Sequence, residues 1–313
     1  MAASPTLVSI GNFDGVHRGH REVLKDSAVA AARHGLVPVA LTFDPHPTIA
    51  VGRPPPACLT RLERKIELIQ RIDPSLRVVV QHFDAAFASQ SPETFVRDIL
   101  VERLRAKHVR VGENFRFGAA RRGDLRTMIE LGKEHGFEAQ AEPLLGDEQG
   151  RFSSTRARES IREGNLAEAL AILGRPHSLS GKVVEGQKRA RHLGFPTANL
   201  GWVVEALPRH GVYTVAVDRL DASGSGRRLG LGVVNVGVRP TVDAGFAVEA
   251  HILDYDGDLY GAMLRVHLLS FLRPECRFDG LEALKTQIAD DVRNARRLVA
   301  DVQPAADAGE AWF

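Results

Sequence analysis

Leu7-Val8-Ser9-Ile10-Gly11-Asn12-Phe13-Asp14-Gly15-Val16-His17-Arg18-Gly19-His20 is the stretch on which the fold turns. Leu7–Ile10 reads as a buried strand, and a helix is predicted from about His20 to His34, with Gly35 as its stop. A strand running through a glycine-rich turn into a helix is the opening unit of a parallel sheet. Ligands in such sheets bind beyond the carboxyl ends of the strands, where helix N-termini supply N–H groups. Gly11, Gly15 and Gly19 allow backbone to approach a phosphate closely. His17 and His20 share one helical face and can donate to oxygens that gain charge during phosphoryl or nucleotidyl transfer. The bland alternative is a glycine turn with two exposed histidines. A zinc pair is a weaker one, since no third ligand has suitable spacing. The stretch is neither GxGxxG nor GxxxxGK[ST], which disfavours a hydride-transfer Rossmann enzyme and a P-loop kinase. Gly230-Leu231-Gly232 lies in a β-rich region with no following helix and carries no dinucleotide signal.

Working outward, strand and helix patterns alternate. Strands are predicted at Val37–Phe43, Leu76–Phe83, His108–Val111 and Phe137–Ala141. Between them lie helices opened by a Thr60/Glu63 capping box and reaching Arg71, by Ser91-Pro92, and by Asp124. This alternation predicts an α/β, mostly parallel sheet with helices on both faces. Two short helices follow over Arg156–Gly174, the second capped by Asn165. Then come the short runs Leu179–Val184, Gly211–Val217, Leu231–Val236, Val248–Leu253 and Leu264–Phe271, which predict a small antiparallel barrel or sandwich. A long helix is expected from a cap at Asp279 through Val299, with a frayed tail over Gln303–Phe313. The domain boundary is placed near Arg175, giving domains 1–175 and 176–313.

Composition sets bounds on function. The 313 residues suffice for two cores, and 44% hydrophobic with 26% charged residues is ordinary for a globular chain. Lys+Arg of 41 against Asp+Glu of 39 leaves a net charge of +2, which removes the electrostatic case for a dedicated nucleic-acid or membrane-surface protein. Cys58 and Cys276 form no disulfide framework or zinc motif. With no signal-peptide pattern and no apolar window of membrane-spanning length, a cytoplasmic protein is expected. Assembly state is left open.

Several further segments carry chemistry. Asp44-Pro45-His46-Pro47 ends the second strand, so His46 falls on the same sheet edge as the first motif. Val111–Gly118, containing Asn114, ends the next inner strand. Arg151-Phe152-Ser153-Ser154-Thr155-Arg156-Ala157-Arg158 combines hydroxyls and arginines at a helix start, either an oxyanion cradle or a plain N-cap. Gly194-Phe195-Pro196-Thr197-Ala198-Asn199 places Thr197 and Asn199 on one side of an extended backbone, and their oxygens are hard ligands suited to Mg²⁺ on nucleotide phosphates. Gly181–Leu193, with Gly186, Lys188, Arg189 and Arg191, reads as a basic flap or as a solvated turn. Glu249 sits in a strand pattern, as a cross-strand ion-pair partner or a general base.

Taken in order, IGNFDGVHRGH, LTFDPHP, VGENFRFG with RRGD, RFSSTRAR, LGRPHSLSG, GFPTANL, NVGVRPTV, VEAHILD and DLYG resemble the bacterial bifunctional riboflavin kinase/FMN adenylyltransferases over nearly the whole chain. The resemblance implies a Rossmann-like nucleotidyltransferase domain followed by a riboflavin-kinase barrel, with ATP, riboflavin, FMN and FAD as substrates and products and Mg²⁺ as cofactor. It implies ATP binding by Gly11, Phe13, Asp14, Gly15, His17, His20, His46, Arg151, Ser154, Thr155 and Arg158 in the first site. In the second site it implies ATP binding by Gly181, Gly186, Thr197 and Asn199, the last two also holding the metal. Flavin contacts fall to Asn114, Phe195 and Glu249, and Glu249 is the implied base for the kinase. The chain departs from the pattern at Ala190, where the family's flap has glycine. Three rival readings stand beside it: a flavin-binding protein with decayed sites, an adenylyltransferase with an idle barrel, and a cytidylyltransferase-like enzyme. GFPTAN argues against the last.

Overall fold

The computed structural model describes residues 4–143, 145–186, 195–222, 224–238 and 246–299. The chain divides into two compact units, one formed by residues 1–56 and 62–153 and the other by 57–61 and 154–313.

The first unit is a five-stranded sheet of β1 (Thr6–Ile10), β2 (Val37–Asp44), β3 (Arg77–His82), β4 (Ala106–Gly112) and β5 (Glu138–Glu142), in the order β3-β2-β1-β4-β5. Every pairing is parallel. Chain progression goes one way from β1 to β3 and the other way from β4 to β5. The topological switch therefore lies between β1 and β4, where an open α/β sheet leaves its ligand crevice. One face of the inner strands is apolar: Val8, Ile10, Val39, Leu41, Val109 and Val111 are buried together with Leu100 and Met128.

The predicted helices form with small shifts. The first spans Arg18–Arg33 and is capped by His17, so it opens two residues ahead of His20. Ser91 caps Pro92–Phe95, and the chain continues over Val96–Arg103 in a wider helix whose end is marked by the Leu104 N–H donating to the Ile99 carbonyl at 3.0 Å. Asp124 caps Leu125–His135. The helix expected from Thr60 begins at Leu62, because Arg61 is drawn into the second unit. A small hairpin, β6 (Gly146–Asp147) with β7 (Gly150–Arg151), was not foreseen.

The second unit is a closed antiparallel barrel of β8 (Ser178–Val184), β9 (Ala198–Gly201), β10 (Gly211–Leu220), β11 (Gly226–Val238), β12 (Phe246–Ile252) and β13 (Met263–Arg273), in the order β10-β11-β12-β9-β8-β13. Pairing of β13 with β10 closes it. Tyr213, Val215, Val217, Val234, Val236, Val248, Ala250 and Val266 fill the interior. The two helices after the first unit, Ser154–Glu163 and Leu166–Leu173 with Asn165 as cap, go with the barrel unit, so the compact division precedes them instead of falling at Arg175. The last helix spans Leu281–Val299.

Residues 57–61 form a strap within this unit. The Ala206 N–H donates to the Cys58 carbonyl at 2.6 Å. Arg61 donates to the Ser180 carbonyl at 3.0 Å, to the Trp202 carbonyl, and to the buried carboxylate of Glu205 at 3.2 Å. Burial pushes the Glu205 carboxyl upward, opposed by the Arg61 charge. Glu205 is buried while Arg61 is half-buried with two carbonyl partners besides, so the main loss on truncation is the acceptor of the Arg61 and Ser180 donors. Glu205→Ala is expected to lower stability by about 1–3 kcal/mol, read from the shift of the urea midpoint.

Candidate active sites

The first site is built on the β1 edge. Gly15 has φ of +82°, which bends the turn into the helix that His17 caps. The Nδ1 atom of His17 accepts from the His20 N–H at 3.3 Å, which leaves the neutral ring's proton on Nε2. The two imidazoles stack at 3.6 Å between centroids and 18° between planes. Phe13 meets the His20 ring edge-on at 5.3 Å, and a Cβ at Gly11 would lie 3.0 Å from the Phe13 ring. The histidines are therefore not two exposed side chains on a turn: His17 is only 6% exposed, and Nδ1 of His20 is buried with no hydrogen-bond partner. Burial, then the neighbouring His17, then Lys65 hold the His20 pKa well below the usual imidazole value. A ring kept neutral there gains a proton most readily when an anion arrives.

His46 joins this site through its loop. Its Nε2 lies 3.4 Å from the Asn12 amide, and its Nδ1 lies 2.8 Å from the Thr48 hydroxyl. Asp14 is buried in the turn itself. Asn114 follows β4 on an exposed turn where the Phe115 N–H donates to the Gly112 carbonyl at 2.9 Å. Since β1 and β4 are parallel neighbours, the two loops share one sheet end. Arg151 is exposed on β7, and the adjacent Phe152 ring lies under the Arg18 guanidinium at 5.2 Å. Sequence reasoning missed Asn12, Thr42, Lys65 and the Arg18–Phe152 contact. Only Lys65 left a signal: its spacing from Leu68 and Ile69 puts it on the buried face of its helix.

Ser154, Thr155 and Arg158 belong to the second unit and open its first helix. There Arg158 donates from Nε to the Ala57 carbonyl at 2.6 Å, and Arg156 is ion-paired with Glu168.

The second site lies beside β9 and β12 of the barrel. Ala198, Leu200, Val248 and Ala250 point into the core, so the alternating Thr197, Asn199, Glu249 and His251 point outward. Asn199 stands directly opposite Glu249, and Glu249 stands opposite Asn235 on its other side. Partners so placed share a face within side-chain reach. Phe195 and Pro196 are anchored by His251, which lies 2.8 Å from the Pro196 carbonyl through Nδ1 and edge-on to Phe195 at 5.5 Å. Thr197, Asn199 and Gly186 line a cavity of about 540 Å³, together with Asp258 of the DLYG motif and with Tyr255 and Asp256, which lie outside the motifs read from the sequence. That volume suits a nucleotide-sized ligand. Glu249 flanks the cavity without lining it, and Gly181 does neither: a Cβ there would meet the Gly201 carbonyl at 2.6 Å, so close strand packing accounts for this glycine. Lys188, Arg189, Ala190 and Arg191 lie outside the described residues.

Thr197 and Asn199 bring one hydroxyl and one amide oxygen to the cavity wall. Mg²⁺ takes one or two protein oxygens and fills its remaining positions with water and phosphate, so this donor set fits it. Among the described residues, no cluster of three His, Cys, Asp or Glu side chains competes as a metal site.

Comparison with known proteins matches residues 1–156 to the FAD synthetase family and residues 173–299 to the riboflavin kinase family. The chain is 39% identical over 302 residues to the bifunctional riboflavin kinase/FMN adenylyltransferase of Escherichia coli K12, covering 96% of this chain and 94% of that one. It belongs to the bifunctional riboflavin kinase/FMN adenylyltransferase family. The protein of that name from Pseudomonas fluorescens is 39% identical over 299 residues, covering 94% of this chain and 93% of that one. A crystal structure described as a macrolide-efflux protein from Streptococcus pneumoniae shares the fold, with TM-score 0.80, 27% identity and coverage of 97% and 96% of the two chains. Efflux does not carry over on that likeness. Among the described residues, no helix is long and apolar enough to cross a membrane.

Two predictions follow from these geometries. The folded state disfavours the His20 proton, so the unfolded chain binds it more tightly. The stability contribution is therefore complete above pH about 6.5 and is lost as the pH falls toward the depressed value, with a slope of up to about 1.4 kcal/mol per pH unit. His20→Gln is expected to flatten that slope in urea melts from pH 7 to 5. At the second site, a Cβ on Gly186 would lie 2.2 Å from the Asn199 amide nitrogen. Gly186→Ala is expected to displace Asn199 and slow FMN formation roughly a hundredfold, with FAD formation from supplied FMN unchanged in the same chromatographic assay.

Proposed function

We propose that each of the two sites carries one of the family's two reactions, with phosphoryl transfer assigned to the barrel unit and adenylyl transfer to the parallel-sheet unit. The chain phosphorylates riboflavin with ATP to give FMN and ADP, then adenylylates FMN with a second ATP to give FAD and pyrophosphate.

In the first reaction the ribityl 5′-hydroxyl attacks the γ-phosphorus. The new O–P bond forms as the β–γ bridging bond breaks, and ADP departs. A hydroxyl is a poor nucleophile at neutral pH and needs an acceptor for its proton, which is the part assigned to Glu249. Its place directly across from Asn199, on the face that also carries Thr197, supports that role. Mg²⁺, held by Thr197 and Asn199, would offset phosphate charge when bound. Phe195, fixed by His251, is assigned to the flavin, and Gly186 to the close approach of phosphate.

In the second reaction an FMN phosphate oxygen attacks the α-phosphorus of ATP, and the α–β bridging bond breaks. That phosphate is already largely ionised at pH 7, so no general base is needed. The task is to hold two polyanions together and to stabilise the departing pyrophosphate. The observation that carries this assignment is the stacked histidine pair at the β1/β4 switch, with a buried ring nitrogen of His20 that no protein group satisfies. His17, His20, His46 and Arg151 are assigned to phosphate oxygens. Gly11, Phe13, Asp14 and Gly15 shape the turn that receives them, and Asn114 is assigned to the flavin. The reading also places the chain in the cytoplasm.

The test is incubation with riboflavin, ATP and Mg²⁺ while FMN and FAD are resolved over time. Glu249→Gln is expected to cut FMN production by about 10²–10⁴ while supplied FMN is still converted to FAD. His17→Ala or His20→Ala is expected to do the reverse, with FAD formation down by about 10²–10³. Loss of both activities from either substitution would refute separate sites.

A further inference from the structure

Lys65 is a lysine inside the first unit, 7% exposed, on the helix Leu62–Ile72 beside the buried Leu68 and Ile69. Its ammonium lies 3.4 Å from the Thr42 hydroxyl, which donates to the Asn12 carbonyl at 3.0 Å. Asn12 belongs to the turn that ends at His17, and its amide faces His46 at 3.4 Å. One buried cation is thus joined through two hydrogen-bonding residues to the turn that leads into His17 and His20 and that also faces His46. A lysine is costly to bury, and an aliphatic residue of similar length would fill the same space without that cost. Its charge also bears on His20, whose Nδ1 is enclosed without a partner. The other ionisable groups of this turn are Asp14, His17 and, through Asn12, His46.

We propose that Lys65 is a positioning residue for adenylyl transfer: its ammonium braces the glycine turn through Thr42 and Asn12 and keeps a fixed positive charge within electrostatic reach of His20, so that an arriving polyphosphate meets a preformed cationic pocket. This rests on the assignment of the histidine pair to ATP phosphates. A fixed cation near a ring resists that ring's protonation in the free protein, and an anion against the ring reverses the balance. The site is then neutral enough to stay folded when empty and cationic when filled.

The experiment is an NMR titration of the His20 imidazole in wild type, Lys65→Met and Lys65→Arg, paired with steady-state FMN adenylylation from pH 5.5 to 8. Riboflavin phosphorylation in the same samples reports on folding. In Lys65→Met the His20 midpoint is expected to move upward toward 6.5. The KM for ATP in adenylylation should rise about tenfold and the acid limb of its pH profile should shift, while FMN formation stays unchanged. Lys65→Arg should restore the titration. A Met variant with the wild-type midpoint, or with KM within twofold of wild type at every pH, would overturn the proposal. If Lys65→Met does not fold, Lys65→Gln removes the same charge with a polar replacement, and its His20 titration decides the matter. A wild type that forms no FAD would instead defeat the adenylylation reading, and the titration would still judge Lys65.

Discussion

A buried imidazole nitrogen with no partner is a constraint that a fold tolerates only for a reason. Leaving such a group unsatisfied costs about 1–3 kcal/mol, and at His20 a second ring, stacked at 3.6 Å, adds repulsion if both take protons. The rest of the first unit reads as the means of holding that arrangement. The parallel sheet opens its crevice between β1 and β4, Gly15 bends the chain into the helix, and His17 caps that helix with the nitrogen facing the His20 N–H. Phe13 closes one side of His20, and Lys65 bears on it electrostatically. An anion that brings a proton onto the ring answers this constraint, and in the proposed reading that anion is a nucleotide phosphate.

The barrel solves a different problem with different groups. A hydroxyl nucleophile must lose a proton, and the outer face of β9 and β12 accordingly presents a carboxylate beside a hydroxyl and an amide. Closure of the barrel forces the interior to be apolar and sends every second residue outward, so the reactive row costs the core nothing. In the proposed reading the FMN phosphate made at the barrel is itself the nucleophile at the other site, which accounts for a carboxylate at one and cationic and imidazole groups at the other. The two units are nonetheless joined in the chain: residues 57–61, flanked by segments of the first unit, belong to the second.

Much of this was legible in one dimension. The strand, glycine turn and His17/His20 pair could be read because they are contiguous, and GFPTAN could be read because alternation along an extended backbone needs no partner to define it. Capping residues Ser91, Asp124 and Asn165 announced their helices for the same local reason. What escaped was non-local. Lys65 reaches the first site through Thr42 and Asn12, and His251 fixes Pro196 across 55 positions of sequence. The strap of 57–61 could not be foreseen either, because its partners Ser180, Glu205 and Ala206 lie over a hundred positions away.

The sequence by itself determined the two fold classes, the family, and the residue types of both sites, since periodicity, turns and ordered motifs are properties of neighbours along the chain. Tertiary structure alone decided that the histidines stack with His17 buried, that Glu249 faces Asn199 and flanks the cavity without lining it, and that Gly181 answers to strand packing. Burial, register and the charge felt by a ring depend on groups brought together from distant positions, and no local pattern encodes those distances.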